Sequence, residues 1–260
     1  MIKALFFDID GTLVSFRTHR IPESTVRGLT EAKEAGVEIY ISTGRPYRII
    51  NNICQIEHLI DGYITTNGAY CFIGDRVISC SPIDDAEVRT VLGMSDSLGF
   101  ACMVVGEKDL CMYNIDDNAR HVFSDILNVP DYGADTPVEK VLGQRILQLS
   151  PFITPEQEAE MMPSLKAIES GRWHPAFTDM TAKGVSKAKG LLDIASYRGF
   201  DIRETMAFGD GGNDLSIIKK AGTGVAMGNA NEILKLHADY VTTSVDDDGI
   251  SNALRHFGVI

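Results

Sequence analysis

The chain has 260 residues, of which 44% are hydrophobic and 23% are charged, a composition typical of globular proteins and not of disordered or collagen-like chains. This length allows one large domain or two ordinary ones. The formal net charge of -12 disfavours nucleic acid and anionic membrane surfaces as partners, because both are negatively charged.

Cysteine usage and hydropathy indicate the cellular setting. The 5 cysteines are odd in number and form no CxxC pair, which argues against a disulfide framework and against a zinc site. No apolar run is long enough to span a bilayer, and Asp8 interrupts the opening MIKALFF before it could act as a signal segment. These features predict a soluble, cytoplasmic protein with reduced thiols.

The first part of the chain alternates between strand and helix patterns. Consecutive apolar residues in the first strand indicate burial on both faces of a parallel sheet, which is typical of a doubly wound α/β fold. The predicted elements are, in order, a strand over 3–7, a helix over 22–36, a strand over 37–41, a helix that begins at Pro46, and strand-like runs at 62–65 and 70–79.

The pattern changes in the middle of the chain and then returns. Scattered glycines and prolines separate mixed strands and helices there, whereas strand and helix alternate regularly again towards the carboxyl terminus. We therefore predict a core domain in two parts, residues 1–82 and 181–260, with an inserted α+β domain over residues 83–180. The acidic run Asp246–Asp248 is interpreted as a solvated helix start and not as a metal site.

Two carboxylates follow the first predicted strand. Asp8 and Asp10 are two residues apart, so in an extended chain both lean to one side at the carboxyl end of the strand, where open α/β sheets bind ligands. An acidic loop with no function is the alternative for such a D-x-D pair. Gly11 favours the functional reading, because a glycine there lets backbone N–H groups turn toward an anion.

The second strand ends in Ser-Thr-Gly-Arg. Thr43 is a candidate anion contact, although the cap of the helix predicted at Pro46 would explain it equally well. Gly44 and Arg45 suit a phosphate-binding corner at the start of that helix.

Two further segments bring charge to strand ends and helix starts. Lys187 falls in the first turn of a predicted helix, where a cation opposes the helix dipole and needs solvent or an anion beside it, and Lys183 and Lys189 are competing candidates. Asp210 and Asp214 flank the glycine turn of GDGGND, and a helix cap is the alternative for Asp214.

The ordered set FDIDGTL, STGR, KGVSK and GDGGND resembles the four motifs of the haloacid dehalogenase (HAD) superfamily, in particular its Cof-type sugar-phosphatase branch. The resemblance covers essentially the whole chain. It implies a Rossmannoid doubly wound parallel sheet with a large α/β cap inserted between the second and third motifs. Ala182 stands where relatives often carry proline, which leaves Lys183 as the alternative to Lys187.

The same resemblance implies a magnesium-dependent phosphatase and a role for each motif residue. Asp8 would be the nucleophile and Asp10 the general acid and base, while Thr43 and Lys187 would hold phosphate. Implied substrate contacts are Ile9, Gly44, Arg45 and Asn213. Implied ligands or supports of Mg²⁺ are Asp8, Asp10 through its main-chain carbonyl, Asp210, and Asp214 through water or Lys187.

Substrate and partners are implied only as classes. The resemblance suggests small phosphorylated metabolites, hexose phosphates first, with pyridoxal phosphate or nucleotides as lesser options. It also suggests a monomer whose inserted domain closes over the site. Arg172, Trp173 and His174 are candidate substrate contacts in the insert, with a core aromatic beside a surface arginine as the alternative. A phosphomutase and a non-catalytic phosphosugar sensor remain alternatives, and the short interval from Thr12 to Thr43 disfavours the mutase.

Overall fold

The computed structural model describes residues 1–260 except for the side chain of Trp173. The chain divides into two compact units, each assembled from separate segments. The first comprises Met1–Gly44, Asn52–Ser79 and Ser186–Ile260, and the second Arg45–Asn51 and Cys80–Val185. Residues 45–51 therefore group with the second unit, whereas the sequence analysis placed them in the core domain.

Strands and helices alternate at both ends of the chain. The strands are β1 (Ala4–Phe7), β2 (Glu38–Ser42), β3 (Gly62–Thr65), β4 (Tyr70–Ile73), β5 (Arg76–Cys80), β6 (Cys102–Gly106), β7 (Leu110–Tyr113), β8 (Ile146–Pro151), β9 (Ile168–His174), β10 (Phe177–Ala182), β11 (Thr205–Gly209), β12 (Thr223–Ala226) and β13 (Tyr240–Val241). The helices are α1 (Glu23–Glu34), α2 (Asp85–Leu98), α3 (Asp117–His121), α4 (Val138–Leu142), α5 (Pro155–Met161), α6 (Lys187–Arg198), α7 (Leu215–Lys220), α8 (Glu232–Lys235) and α9 (Gly249–His256).

The first unit contains an eight-stranded sheet in the order β13-β12-β11-β1-β2-β3-β4-β5. The six strands from β13 to β3 pair in parallel, which confirms the predicted α/β fold class. The sheet is nevertheless mixed, because β4 runs antiparallel to β3. Residues 66–69 that join these two strands are too few for a crossover, which a parallel pair requires.

The strand order places β1 where the sheet can bind a ligand. All four residues of β1 are buried, as expected for a strand covered on both faces. The chain passes from β1 to β2 on one side, while β11 pairs with the other side, so the strand order reverses at β1. The carboxyl ends of β1, β2 and β11 thus bring Asp8, Thr43 and Asp210 to one edge of the sheet.

The second unit contains an antiparallel five-stranded sheet in the order β7-β6-β8-β10-β9. Alternate residues of β6 enter two hydrophobic clusters, Cys102 and Val104 in one and Met103 and Val105 in the other. Both faces of this sheet are therefore covered, one by residues of α2 and the other by residues that include Ala119 of α3.

The helix predicted to begin at Pro46 is absent, and this prediction was wrong. The structure contains one 3₁₀ turn there, Tyr47–Ile49, and the chain is extended again at Ile50. Within the second unit, Arg48 Nη1 lies 2.7 Å from Asp109 Oδ1, Ile49 joins a hydrophobic cluster, and Asn51 Nδ2 donates to Asn128 O over 2.9 Å. These contacts hold the segment more strongly than local helix propensity does. As predicted, a helix (α9) follows the acidic run 246–248 directly.

None of the helices that the structure describes is both long enough and apolar enough to cross a membrane.

Candidate active site

A buried lysine joins two carboxylates at the edge of the first sheet. Lys187 is the first residue of α6, and its side chain is fully buried. Its Nζ lies 2.6 Å from Asp8 Oδ1 and 2.6 Å from Asp214 Oδ1. Lys183, the alternative from the sequence, is exposed. Because both carboxylates are buried as well, this pair of contacts holds three separate segments in fixed geometry.

The glycine turn after β11 is organised by Asp214. Its Oδ2 accepts hydrogen bonds from the backbone N–H groups of Asp210 at 3.0 Å and Gly211 at 2.9 Å. Among the residues described, the Asp214 side chain makes no cap bond at the start of α7, but its bond from the Gly211 N–H caps the 3₁₀ turn Gly212–Asp214 that precedes this helix. Asp214 fixes the turn that carries Asp210 and orients Lys187.

Three carboxylates converge at this point. One oxygen each of Asp8, Asp210 and Asp214 lie within 4.8 Å of one another. Thr12 Oγ1 donates to Asp210 Oδ1 over 2.9 Å and thereby orients that carboxylate. A cluster of carboxylate oxygens is the donor set that hard divalent cations such as Mg²⁺ prefer.

Burial and mutual repulsion perturb these acids. Burial, with smaller contributions from Asp214 and Asp10, raises the pKa of Asp8 to about 7 although Lys187 opposes the shift. Burial and the charges of Asp8 and Asp214 raise the pKa of Asp210 to about 8. Burial acts to lower the pKa of Lys187, but Asp214 and Asp8 raise it overall, so the lysine stays protonated. Once the pH exceeds these values and both Asp8 and Asp210 are ionised, the cluster carries more negative charge than one lysine neutralises.

This excess charge predicts how pH and divalent cations affect stability. Because the pKa values of Asp8 and Asp210 are raised in the folded state, their contribution to the free energy of unfolding is complete below about pH 4 and is lost as the pH rises through 7 to 8. A divalent cation at this cluster would bind the ionised forms of the acids, so we expect millimolar Mg²⁺ to raise the unfolding temperature by a few degrees more at about pH 8.5 than at about pH 5.5.

Thermal unfolding at these two pH values, with and without Mg²⁺, measures this difference. An Asp210→Asn variant is the control in which the difference should shrink. Equal stabilisation by Mg²⁺ at both pH values would contradict the prediction.

The other residues predicted for the site lie at the same strand ends or in the second unit. Ile9, Thr43 and Gly44 are buried. Asp10 is half-buried, and its charge contributes to the raised pKa of Asp8. Arg45 is buried in the second unit, where its Nη1 donates to Ile49 O over 3.2 Å. Only one 3₁₀ turn follows Pro46, so no α-helix dipole acts at this corner, and the assignment of Gly44 and Arg45 to phosphate stays a prediction.

Asn213 has a specific partner in the first unit. Its Nδ2 donates to Asn67 Oδ1 over 3.1 Å. Asn67 lies in the connection between β3 and β4, a segment that the sequence analysis passed over, although Asn-Gly is a turn signal.

The loop after β1 depends on residues that sequence reasoning missed. Thr12 contributes its hydroxyl to Asp210, and Asn229 Nδ2 donates to Gly11 O over 2.8 Å. Gly11 has φ of 82°, and a Cβ there would lie 2.3 Å from Asp210 Oδ2, so no larger residue fits. Thr12 could have been found from its place in the first motif, but nothing local marks Asn229, which is 218 residues away from Gly11.

The candidate substrate contacts in the insert have structural partners. Arg172 donates to Glu158 Oε2 from Nε over 3.0 Å and from Nη2 over 2.7 Å, and also to backbone carbonyls. His174 stacks on Phe177 with ring centroids 5.1 Å apart. The side chain of Trp173 lies outside the described part of the structure. The arginine and the histidine therefore stabilise the second unit.

Comparisons with known proteins agree with this geometry. The profile of the haloacid dehalogenase-like hydrolase family matches residues 5–254. YkrA of Bacillus subtilis (strain 168) is 35% identical over 258 residues, which cover 99% of this chain and 98% of YkrA. The structure of the HAD subclass IIB sugar phosphatase BT4131 is similar with a TM-score of 0.94 and 48% identity, over 99% of this chain and 100% of that one. The structure of BT1666 from Bacteroides thetaiotaomicron is similar with a TM-score of 0.89 and 36% identity, over 100% of this chain and 96% of that one.

These similarities extend over nearly the whole chain and include both the core motifs and the inserted segment. They confirm the resemblance on which the sequence analysis relied and the assignment of the chain to the hydrolases. The protein therefore belongs to the haloacid dehalogenase-like hydrolase family and, within it, to the Cof-type phosphatases.

Proposed function

We propose that this phosphoric monoester hydrolase is a magnesium-dependent phosphatase of small phosphorylated metabolites, sugar phosphates first, and that it acts through a phosphoaspartyl intermediate on Asp8. The observation that carries the proposal is the buried cluster in which Lys187 joins Asp8 and Asp214 beside Asp210. The sugar phosphatase BT4131, similar over the full chain, supports the substrate class. Cytoplasmic localisation stays a prediction from the cysteine pattern.

The chemistry of the cluster fits a divalent cation. Three carboxylates against one lysine leave an excess of two negative charges when all are ionised, in a place where burial disfavours charge. Asp8, Asp210 and the main-chain carbonyl of Asp10 would hold Mg²⁺. Asp214 would support the metal site indirectly, through water or through its bond with Lys187. When bound, Mg²⁺ supplies positive charge that offsets the repulsion between Asp8 and an anionic phosphate.

Each of the site residues has a separate role in the proposed reaction. A carboxylate oxygen of Asp8 forms a bond to phosphorus as the bond to the leaving oxygen breaks, and protonated Asp10 donates its proton to that leaving oxygen. The Asp10 carboxylate then accepts a proton from the water that attacks the phosphoaspartate, which releases phosphate and restores Asp8. Thr43, Lys187 and Asn213 hold the phosphate oxygens during both steps.

Replacement of Asp10 by Ala should leave the fold intact and lower turnover by roughly 10²- to 10⁴-fold, the usual contribution of general acid-base catalysis. Asp10 is half-buried, and the bonds from Lys187 to Asp8 and Asp214 do not use its side chain, so these bonds should remain in the variant. The effect is measured as kcat/KM with an aryl phosphate and with a sugar phosphate, because kcat/KM contains only the steps up to departure of the leaving group and not the shared hydrolysis of the phosphoaspartate. The loss should be smaller for the aryl phosphate, whose leaving group needs less protonation, and equal losses on both would contradict the acid role.

A panel of phosphorylated metabolites tests the function itself. Hexose phosphates, pyridoxal phosphate and nucleotides are incubated with the protein, with and without Mg²⁺, and released phosphate is measured while calorimetry records binding. We expect release that requires Mg²⁺ and is fastest on a sugar phosphate. Binding without release would favour the sensor, and transfer of the phosphoryl group to a second sugar hydroxyl instead of water would favour the mutase.

A further inference from the structure

The connection between β3 and β4 has an unusual backbone. Thr66, Asn67 and Gly68 have consecutive positive φ values of 49°, 54° and 102°. Such values are rare for residues other than glycine and are outliers for a β-branched residue such as threonine. The hydroxyl of Thr66 is also buried without a hydrogen-bond partner among the described residues. Strained backbone and unpaired polar atoms persist only where the surroundings impose them.

The surroundings of this turn are three of the segments that carry the active site. The backbone N–H of Asn67 donates to Thr43 O over 3.0 Å, and its side-chain Oδ1 accepts from Asn213 Nδ2 at 3.1 Å. A Cβ on Gly68 would lie 2.2 Å from Ser186 O and 3.3 Å from Lys187 N. One short turn therefore contacts the end of β2, the turn after β11 and the start of α6.

A hairpin connection of this length does not by itself require such a conformation, because connections of four residues are usually built around an ordinary type I turn. The left-handed backbone instead lets Asn67 contact two residues at once: its backbone N–H donates to Thr43, and its side-chain oxygen accepts from Asn213. Asn213 is only half-buried, so without this bond its side chain would be free to rotate toward solvent.

We propose that Asn67 is a positioning residue, which fixes the side-chain amide of Asn213 in the orientation that binds the substrate phosphate. This inference rests on the proposed function, because it assigns Asn213 to the phosphate. Because the side chain of Asn67 accepts a hydrogen bond from Asn213 and would act through that residue, its loss should weaken binding of phosphate more than it slows the attack by Asp8.

Asn67→Gly removes only the side chain, since glycine adopts φ of 54° without strain, and this relief of strain should offset most of the stability lost with the hydrogen bond to Asn213. We expect KM for an aryl phosphate, and the Kd of inorganic phosphate with Mg²⁺ measured by calorimetry, to rise about threefold to tenfold, as for the loss of one hydrogen bond. The value of kcat should change by less than about twofold. Asn128→Gly is a matched control, because Asn128 is an exposed asparagine with φ of 50° in the second unit.

A double-mutant cycle with Asn213→Ala decides whether Asn67 acts through Asn213. If it does, adding Asn67→Gly to Asn213→Ala should leave KM and the phosphate Kd unchanged. The inference would be overturned if the two substitutions raised KM and the phosphate Kd by factors that multiply in the double variant. It would also be overturned if KM were unchanged in Asn67→Gly, or if Asn128→Gly raised KM as much as Asn67→Gly does. A wild-type protein that neither hydrolyses phosphate esters with Mg²⁺ nor binds phosphate would overturn the proposed function, and the inference with it. Activity in the wild type with an additive cycle would overturn the inference alone.

Discussion

Replacing Asp8 by Asn is expected to abolish phosphate release, with a loss of at least about 10⁴-fold in kcat, comparable to removal of a nucleophile in other covalent enzymes. The amide oxygen is a much weaker nucleophile than a carboxylate and forms no stable ester with phosphorus. The side chains have nearly the same volume, and Lys187 keeps its bond to Asp214, so the fold should remain. The variant loses one of the charges whose repulsion raises the pKa of Asp210.

Two measurements separate loss of the nucleophile from loss of structure. Steady-state hydrolysis of an aryl phosphate gives the rate, and circular dichroism with thermal unfolding reports on the fold. Asp75→Asn, at an exposed aspartate in the turn between β4 and β5, is the matched control and should keep the wild-type rate. Hydrolysis by Asp8→Asn near the wild-type rate would remove Asp8 as the nucleophile.

Much of the site could be predicted because its residues follow buried strands directly. Strand β1 and residues 206–209 of β11 are apolar without interruption, which indicates strands that are covered on both faces, and a parallel arrangement brings their carboxyl ends to one edge. The positions of Asp8 and Asp210 follow from that pattern alone. The contact of Lys187 with Asp8, across 179 residues, did not follow from local pattern and depended on family resemblance.

The predictions that failed, and the features that were missed, depend on tertiary contacts. The proline at position 46 is a good local signal for a helix start, but contacts of Arg48 and Asn51 in the second unit limit the segment to one 3₁₀ turn. The positive φ of Thr66 is contrary to the backbone preference of a β-branched residue, and only the neighbouring site segments explain it. Neither the contacts of residues 45–51 with the second unit nor those of the Thr66 turn with the site can be inferred from the local sequence of the segment itself.

Replacing Lys187 by Met should be the most destabilising single change in the site. Methionine fills similar space but leaves Asp8 and Asp214 buried side by side without their shared cation. Removing one partner of a buried ion pair typically costs about 3 to 5 kcal/mol, because the remaining charge has neither water nor a counter-ion. The same change removes a proposed phosphate contact, so turnover should fall by at least about 10³-fold.

The pH dependence of this loss distinguishes an electrostatic cause from poor packing. Lys187 opposes the rise in the pKa of Asp8, so without the lysine the folded-state pKa of Asp8 should rise further, and a raised folded-state pKa means stability that is lost as the pH increases. Urea unfolding should therefore show a larger deficit at about pH 8.5 than at about pH 5.5, with Mg²⁺ restoring part of it. Lys183→Met, at the exposed lysine of the same motif, should change stability by less than about 0.5 kcal/mol at either pH. A deficit independent of pH would mean that Lys187 serves packing and not charge, because a packing defect contains no group that titrates in this range.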